Sequence, residues 1–263
     1  MQRPLVQVQK LSATFTDPQG SLRVLDKLSF EVKQGEFLCV LGPSGSGKST
    51  LLRILAGLVR SNSGTVTINQ KSLYGSQAGI ALVFQDANLM PWRTVLENIT
   101  LPLEVRNHSD GISRRAKRLI TLVGLTGFEH ALPRDLSGGM AQRVAIARAL
   151  VQDPAILLMD EPFGSLDAIT RQRMAEELLR IWETDHKTVI LVTHDISEAI
   201  YLADRVLVLS ARPATLKLDL KIPLPRPRQS SIRYTSKFGR LAAQLREAIE
   251  SEPANGNGNL AQV

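Results

Sequence analysis

Gly42-Pro43-Ser44-Gly45-Ser46-Gly47-Lys48-Ser49-Thr50 follows the apolar run Phe37-Leu38-Cys39-Val40-Leu41 and precedes Leu51, Leu52, Leu55, Leu58 and Val59. The run before it reads as a buried strand. The apolar residues after it fall on one face of a helix. Strand, glycine-rich loop and helix are the context in which G-x-x-x-x-G-K-[ST] is a phosphate site rather than an ordinary turn. The glycines admit backbone angles that a side chain forbids. Loop N–H groups can then converge on a phosphate at the positive end of the helix. In such a loop Lys48 reaches the β- and γ-phosphates of a nucleotide, and Ser49 offers its hydroxyl to Mg²⁺.

The chain has 263 residues, enough for one large domain or for a core with a smaller subdomain. Its composition is that of a globular protein, and no apolar run has transmembrane length. The first residues lack the apolar core of a signal peptide. The one cysteine, Cys39, lies in the strand before the loop, so no intrachain disulfide is possible. The expectation is a cytoplasmic protein. The formal charge of +7 is uneven: Lys221, Arg226, Arg228, Arg233, Lys237 and Arg240 fall in a stretch with no acid. A solvated, proline-containing surface segment is one reading of that stretch, and attraction to an anionic lipid surface is another. Nucleic acid is not expected as a partner, because aromatics are sparse there and no recognition motif accompanies the charge.

Along the chain, residues 6–15 and 28–32 read as strands, with Pro18-Gln19-Gly20-Ser21 as a turn. Residues 64–68 and 79–84 are further strands, the second delivering Gln85. From 94 to 151 the texture is helical. It includes a basic amphipathic helix over 114–125 and an alanine-rich helix opened by Leu136-Ser137-Gly138-Gly139. Strand 155–159 runs into Asp160-Glu161-Pro162, and strand 188–192 into Thr193-His194-Asp195, with a helix over 169–182 between them. Strand 205–209 closes the core; 216–222 reads as an edge strand, and Phe238, Leu241, Leu245 and Ile249 as the inner face of a last helix. The expected fold is α/β: a P-loop NTPase core with a mainly parallel sheet, an N-terminal antiparallel β portion and an inserted helical subdomain. The expected division is 1–85 and 153–212 for the nucleotide-binding core, 86–152 for the helical subdomain, 213–252 for a C-terminal extension and 253–263 for a frayed tail.

Ligands of a parallel sheet sit beyond the strand C-termini, and Gln85, Asp160 and His194 all fall at such ends. Asp160 can hold Mg²⁺ opposite Ser49. Glu161 is placed to orient and deprotonate an attacking water, and His194 to hydrogen-bond a γ-phosphate. Ser137-Gly138-Gly139 at a helix start is either a plain cap or a second anion site. Two copies arranged head to tail would use both cradles around one ATP.

These motifs, with Ser165-Leu166-Asp167, resemble in order and spacing the ATP-binding subunits of ATP-binding cassette transporters over about residues 5–250. The resemblance implies an ATPase that works as two copies on a membrane permease, peripheral on the cytoplasmic face of the inner membrane. It implies that Phe15 stacks on adenine, that Gln85 touches Mg²⁺ and senses the permease, and that Asp167 acts across the dimer. Met140 stands where that family usually has glutamine. The stretches 89–99, Ala211-Arg212-Pro213 and Leu224-Pro225-Arg226-Pro227-Arg228 are similar to importers of nitrate, taurine and alkanesulfonates, a branch that also handles pyrimidine-type vitamin precursors. In that branch an extracytoplasmic solute-binding protein supplies the solute. The segment after Gln85 meets a short permease helix, which would place Pro91 and Trp92 in a docking groove; local packing is their other reading. Cassette ATPases of lipoprotein release, cell division or DNA repair share several of these motifs, and are the alternatives.

Overall fold

A computed structural model describes residues 4–17, 20–75, 77, 79–106, 112–164 and 166–251. Pro18 and Gln19 of the expected turn, Ser165, and the expected tail 253–263 lie outside the described residues.

Two sheets share the work. The first has the order β2-β1-β4-β5 and is antiparallel, from β1 (Val6–Asp17), β2 (Gly20–Val32), β4 (Ser63–Ile68) and the short β5 (Lys71–Ser72). The second has the order β10-β9-β3-β8-β7-β6, from β3 (Phe37–Leu41), β6 (Ile80–Val83), β7 (Ile156–Asp160), β8 (Thr188–Val192), β9 (Arg205–Leu209) and β10 (Leu216–Lys221). All its pairings are parallel except that of edge strand β10 with β9. The second strand begins at Gly20, not at Leu28. Its first four residues, 20–23, are exposed and so lack the apolar signal that marks a strand in sequence, although Val24 and Leu25 beyond them are buried.

Strands β3, β7 and β8 are buried at every position. That is why they read as unbroken apolar runs rather than alternating ones. Leu38, Val40, Leu158, Ile190 and Val192 face one core, shared with the antiparallel sheet and α1 (Lys48–Leu55). Phe37, Cys39, Leu41, Leu157, Met159, Val189 and Leu191 face the other. Against that second face pack α2 (Val95–Val105), α3 (Ile112–Leu122), α4 (Gly138–Leu150), α5 (Ala168–Asp185), α6 (Ile196–Leu202) and α7 (Ser236–Glu250). Among the described residues no helix is long and apolar enough to cross a membrane.

The helical face expected after the loop ends early. Ala56 caps α1 and Gly57 turns left-handed at φ 73°, so Leu58 is 56% exposed instead of buried. The basic stretch is the larger correction, because Arg226, Arg228 and Arg233 within it are packed against the fold rather than solvated. Arg226 donates to Leu202 O at 2.7 Å and to Asp204 Oδ1 at 2.9 Å, and lies over the Trp182 ring at 4.1 Å. Arg228, only 6% exposed, donates to Ile200 O and Tyr201 O at 3.0 and 2.8 Å. Arg233 lies over the Tyr201 ring and donates to Ser197 Oγ. Arg226 and Arg228 thus satisfy the last carbonyls of α6, at the negative end of its dipole. Lys221, Lys237 and Arg240 remain exposed.

Gly47 shows what the turn into α1 requires. It is left-handed at φ 102°, and a Cβ there would stand 2.5 Å from Val24 Cγ1 and 2.9 Å from Leu25 Cδ2. Both the backbone angle and the antiparallel sheet behind it exclude a side chain. Gly47→Ala is expected to cost about 2–4 kcal/mol, from the left-handed strain and the overpacking together. Thermal unfolding should therefore fall by roughly 5–10 °C. An unchanged midpoint would mean that the loop is not pinned by Val24 and Leu25.

Candidate functional site

Strand register brings the candidate residues to one edge. Val40 pairs with Val192, Val192 with Asp160, and Met159 with Val83. The chain leaves β3 at Gly42, β7 at Glu161, β8 at Thr193 and β6 at Phe84, all on the same side of the sheet.

Lys48 opens α1 and is 4% exposed. Its Nζ donates to Gly42 O at 2.9 Å and Pro43 O at 3.0 Å, and lies 3.8 Å from Glu161 Oε1. Burial pushes its pKa down, and the carboxylates of Glu161 and Asp160 work the other way. Ser49 Oγ donates to Asp160 Oδ1 at 2.9 Å. Burial, the largest effect, pushes the Asp160 carboxyl up, and the Ser49 hydrogen bond opposes it. A hydroxyl bonded to a buried carboxylate offers oxygen donors of the kind that suit Mg²⁺. A cation there would relieve the desolvated carboxylate, so these residues fit the metal. The Ser46 hydroxyl is buried beside Gly42 without a hydrogen-bond partner among the described residues, and its N–H donates to Pro43 O at 3.2 Å.

Glu161 takes a left-handed backbone, φ 43°, unusual for a residue with a Cβ. Its N–H donates to Val192 O of the neighbouring strand at 2.9 Å. Its Oε2 lies 2.8 Å from His194 Nδ1. Glu161 thus stands between the Lys48 ammonium and the half-exposed His194 ring. Gly164 lets the Gln85 amide come close: a Cβ there would stand 3.2 Å from Gln85 Nε2. Phe15 is exposed near the end of β1.

Ser137 is the N-cap of α4, accepting from Met140 N at 3.3 Å. Ser137 and Gly138 are exposed, whereas Gly139 is buried against Thr170 and Met174. Met140 packs against the core, which accounts for an apolar residue at that position. Asp167 is exposed and caps α5, accepting from Ile169 N and Thr170 N. Ser137 and Asp167 therefore bond to their own helices, and the structure does not bring them into the Lys48 cluster.

Several further residues support this edge. Gln142 of α4 donates to Phe84 O, and Arg148 to Ala87 O and Asn88 O, tying that helix to the segment around Gln85. Asn98, fully buried, donates to the carbonyls of Met90, Arg93 and Thr94 and accepts from Met90 N. It thereby holds out the loop that carries Trp92, which is 73% exposed, so the local-packing reading of Trp92 does not hold. The Arg212 guanidinium lies 3.3 Å from where a Cβ on Gly45 would stand. Glu198 of α6, 5% exposed, accepts from Thr193 Oγ1 at 2.6 Å, and burial pushes its carboxyl up to about 7. Gln142, Arg148 and Glu198 are marked in sequence only by their amide, guanidinium or carboxyl chemistry, which many surface positions share.

A phosphate loop between a buried strand and a helix, with an acid at a neighbouring strand end, defines a P-loop nucleotide hydrolase. The ABC transporter family model matches residues 25–164. The uncharacterised ABC transporter ATP-binding protein MJ0412 of Methanocaldococcus jannaschii is 50% identical over 250 residues, 93% of this chain and 92% of that protein. An aliphatic sulfonates import ATP-binding protein, SsuB of Bacillus cereus, is 43% identical over 227 residues, 86% of this chain and 90% of that one. A dimeric post-hydrolysis structure of the ATP-binding cassette MJ0796, bound to ADP and Pi, matches with a TM-score of 0.73 at 32% identity, covering 84% of this chain and 100% of that one. The chain belongs to the ABC transporter family; it is an ATP-binding cassette and an ATPase.

Proposed function

We propose that this cassette powers solute import through a membrane permease, as two copies that enclose ATP head to tail. The observation that carries the catalytic part is Glu161, held between Lys48 and His194 beside the Ser49–Asp160 pair. In this reading Glu161 orients and deprotonates the attacking water. His194 holds Glu161 at Nδ1 and turns its other nitrogen to the γ-phosphate. Lys48 exchanges its two loop carbonyls for phosphate oxygens. The loop from Gly42 and Pro43 through Ser44, Gly45, Ser46 and Gly47 to Thr50 wraps the phosphates and turns its backbone N–H groups to them. Phe15 stacks on adenine. Ser49, Asp160 and Gln85 would hold Mg²⁺, which neutralises charge developing on the phosphates. Ser137, Gly138, Gly139 and Asp167 of the second copy complete the site. Closure on ATP and reopening after hydrolysis then bias a permease with two arrangements.

The helical region 86–152 is the arm that meets the permease, through the loop bearing Pro91 and Trp92. This assigns the cassette to the cytoplasmic face of the inner membrane, held there by its partner, with an extracytoplasmic solute-binding protein upstream. The likeness to a sulfonate importer supports an organosulfur solute such as taurine or an alkanesulfonate; nitrate is the neighbouring choice. Disruption of the gene is expected to abolish growth on taurine or an alkanesulfonate as sole sulfur source and to leave growth on nitrate as sole nitrogen source intact. Loss on nitrate alone would move the solute to the nitrate branch. Normal growth on both, in a strain without a redundant system, would contradict this solute assignment.

A further inference from the structure

Arg171, in the first turn of α5, joins three segments at once. Its Nη2 donates to Leu166 O at 2.9 Å, in the loop that follows Glu161. Its Nη1 lies 3.5 Å from Asp195 Oδ2, and its Nε, which makes no hydrogen bond among the described residues, lies 3.6 Å from Glu198 Oε1 as an ion pair only. Those two acids open α6, directly after His194. Asp195 caps α6 with its other oxygen, accepting from Glu198 N at 2.9 Å, and its own N–H donates to Thr193 Oγ1 at 3.0 Å. The Thr193 hydroxyl donates in turn to Glu198 Oε2. Contacts therefore close a ring: from Glu161 to Phe163, whose carbonyl accepts from Leu166 N at 3.1 Å, from Leu166 through Arg171 to Asp195, and from neighbouring His194 back to Glu161.

We propose that Arg171 is a positioning residue for ATP hydrolysis, which ties the loop running from Glu161 to Asp167 to the His194 turn so that the two move as one body. A guanidinium suits this because its planar fork serves several acceptors in fixed directions, which an ammonium cannot. The proposed roles give the tie a purpose: in the proposed dimer, Asp167 would face the second copy and His194 the γ-phosphate. A rigid link makes arrival of the second copy and alignment of Glu161 one event. The inference rests on the roles proposed for Glu161 and His194.

Steady-state ATPase assays on the full chain test it with Arg171→Ala, Arg171→Lys and the pair Asp195→Asn and Glu198→Gln. Asparagine keeps the cap of α6 and glutamine the bond from Thr193, so the fold is retained. Arg171→Ala should lower kcat at least tenfold with KM for ATP within twofold and a melting midpoint near wild type. Arg171→Lys should recover only part of that loss. Adding Arg171→Ala to the Asp195→Asn/Glu198→Gln pair should cost little more, because the tie is already cut. Full, multiplicative loss in that background would show that Arg171 acts elsewhere. A wild-type kcat in Arg171→Ala, with Glu161→Gln inactive in the same assay, would overturn the tie alone. Normal turnover in Glu161→Gln would overturn the catalytic reading and the tie with it.

Discussion

Glu161→Gln is expected to bind ATP as the parent does while its turnover falls by roughly 10²–10⁴-fold, the usual contribution of a positioned base. The substitution keeps size and hydrogen-bonding reach beside His194 but removes the proton acceptor. Glu161 already sits in a left-handed conformation with its N–H bonded to Val192 O, so the backbone that aims the side chain is set by β7 and β8 rather than by the carboxylate. The loss should therefore appear in kcat and not in nucleotide affinity. Phosphate release and equilibrium nucleotide titration, run on one preparation, check both halves. A variant that turned over normally would remove Glu161 from the role of base.

Lys48→Ala should lose nucleotide affinity by about 10- to 100-fold or more, as expected when a charge-assisted hydrogen bond worth roughly 1.5–3 kcal/mol is removed. Lys48 lies 3.8 Å from Glu161, and both Glu161 and Asp160 favour its charged form against the opposing effect of burial. Without that cation, the two carboxylates repel an incoming polyphosphate. The folded chain should survive, because the change removes partners only within the site itself, the Gly42 and Pro43 carbonyls and the Glu161 carboxylate. Titration calorimetry with ATP measures the effect directly, and unchanged affinity would refute the phosphate-loop assignment.

The core of the fold is legible because it depends on local chemistry. The loop at 42–50 needs glycine where φ is positive, at Gly45 and Gly47, and the strands beside it are buried on both faces, so both leave a trace in composition. Gln85, Asp160, Glu161 and His194 are legible by their place at strand ends. Other features depend on partners distant in sequence. Arg226 and Arg228 look like solvated charge until α6 supplies carbonyls 24 to 28 residues upstream. Arg171 sits among other charged residues of α5, and only the fold puts Asp195 and Leu166 around it. Leu58 continues a helical spacing that the left-handed Gly57 has already ended. Trp92 has the composition of a core residue, and only the buried Asn98 beneath its loop reveals why it points outward.

One ATP enclosed by two copies is the claim on which the rest depends. The most direct measurement is an experimental structure of Glu161→Gln with ATP and Mg²⁺. It should show the nucleotide between the 42–50 loop of one copy and Ser137-Gly138-Gly139 of another. ATP held by a single copy, with Ser137 of every copy remote from its phosphates, would contradict it.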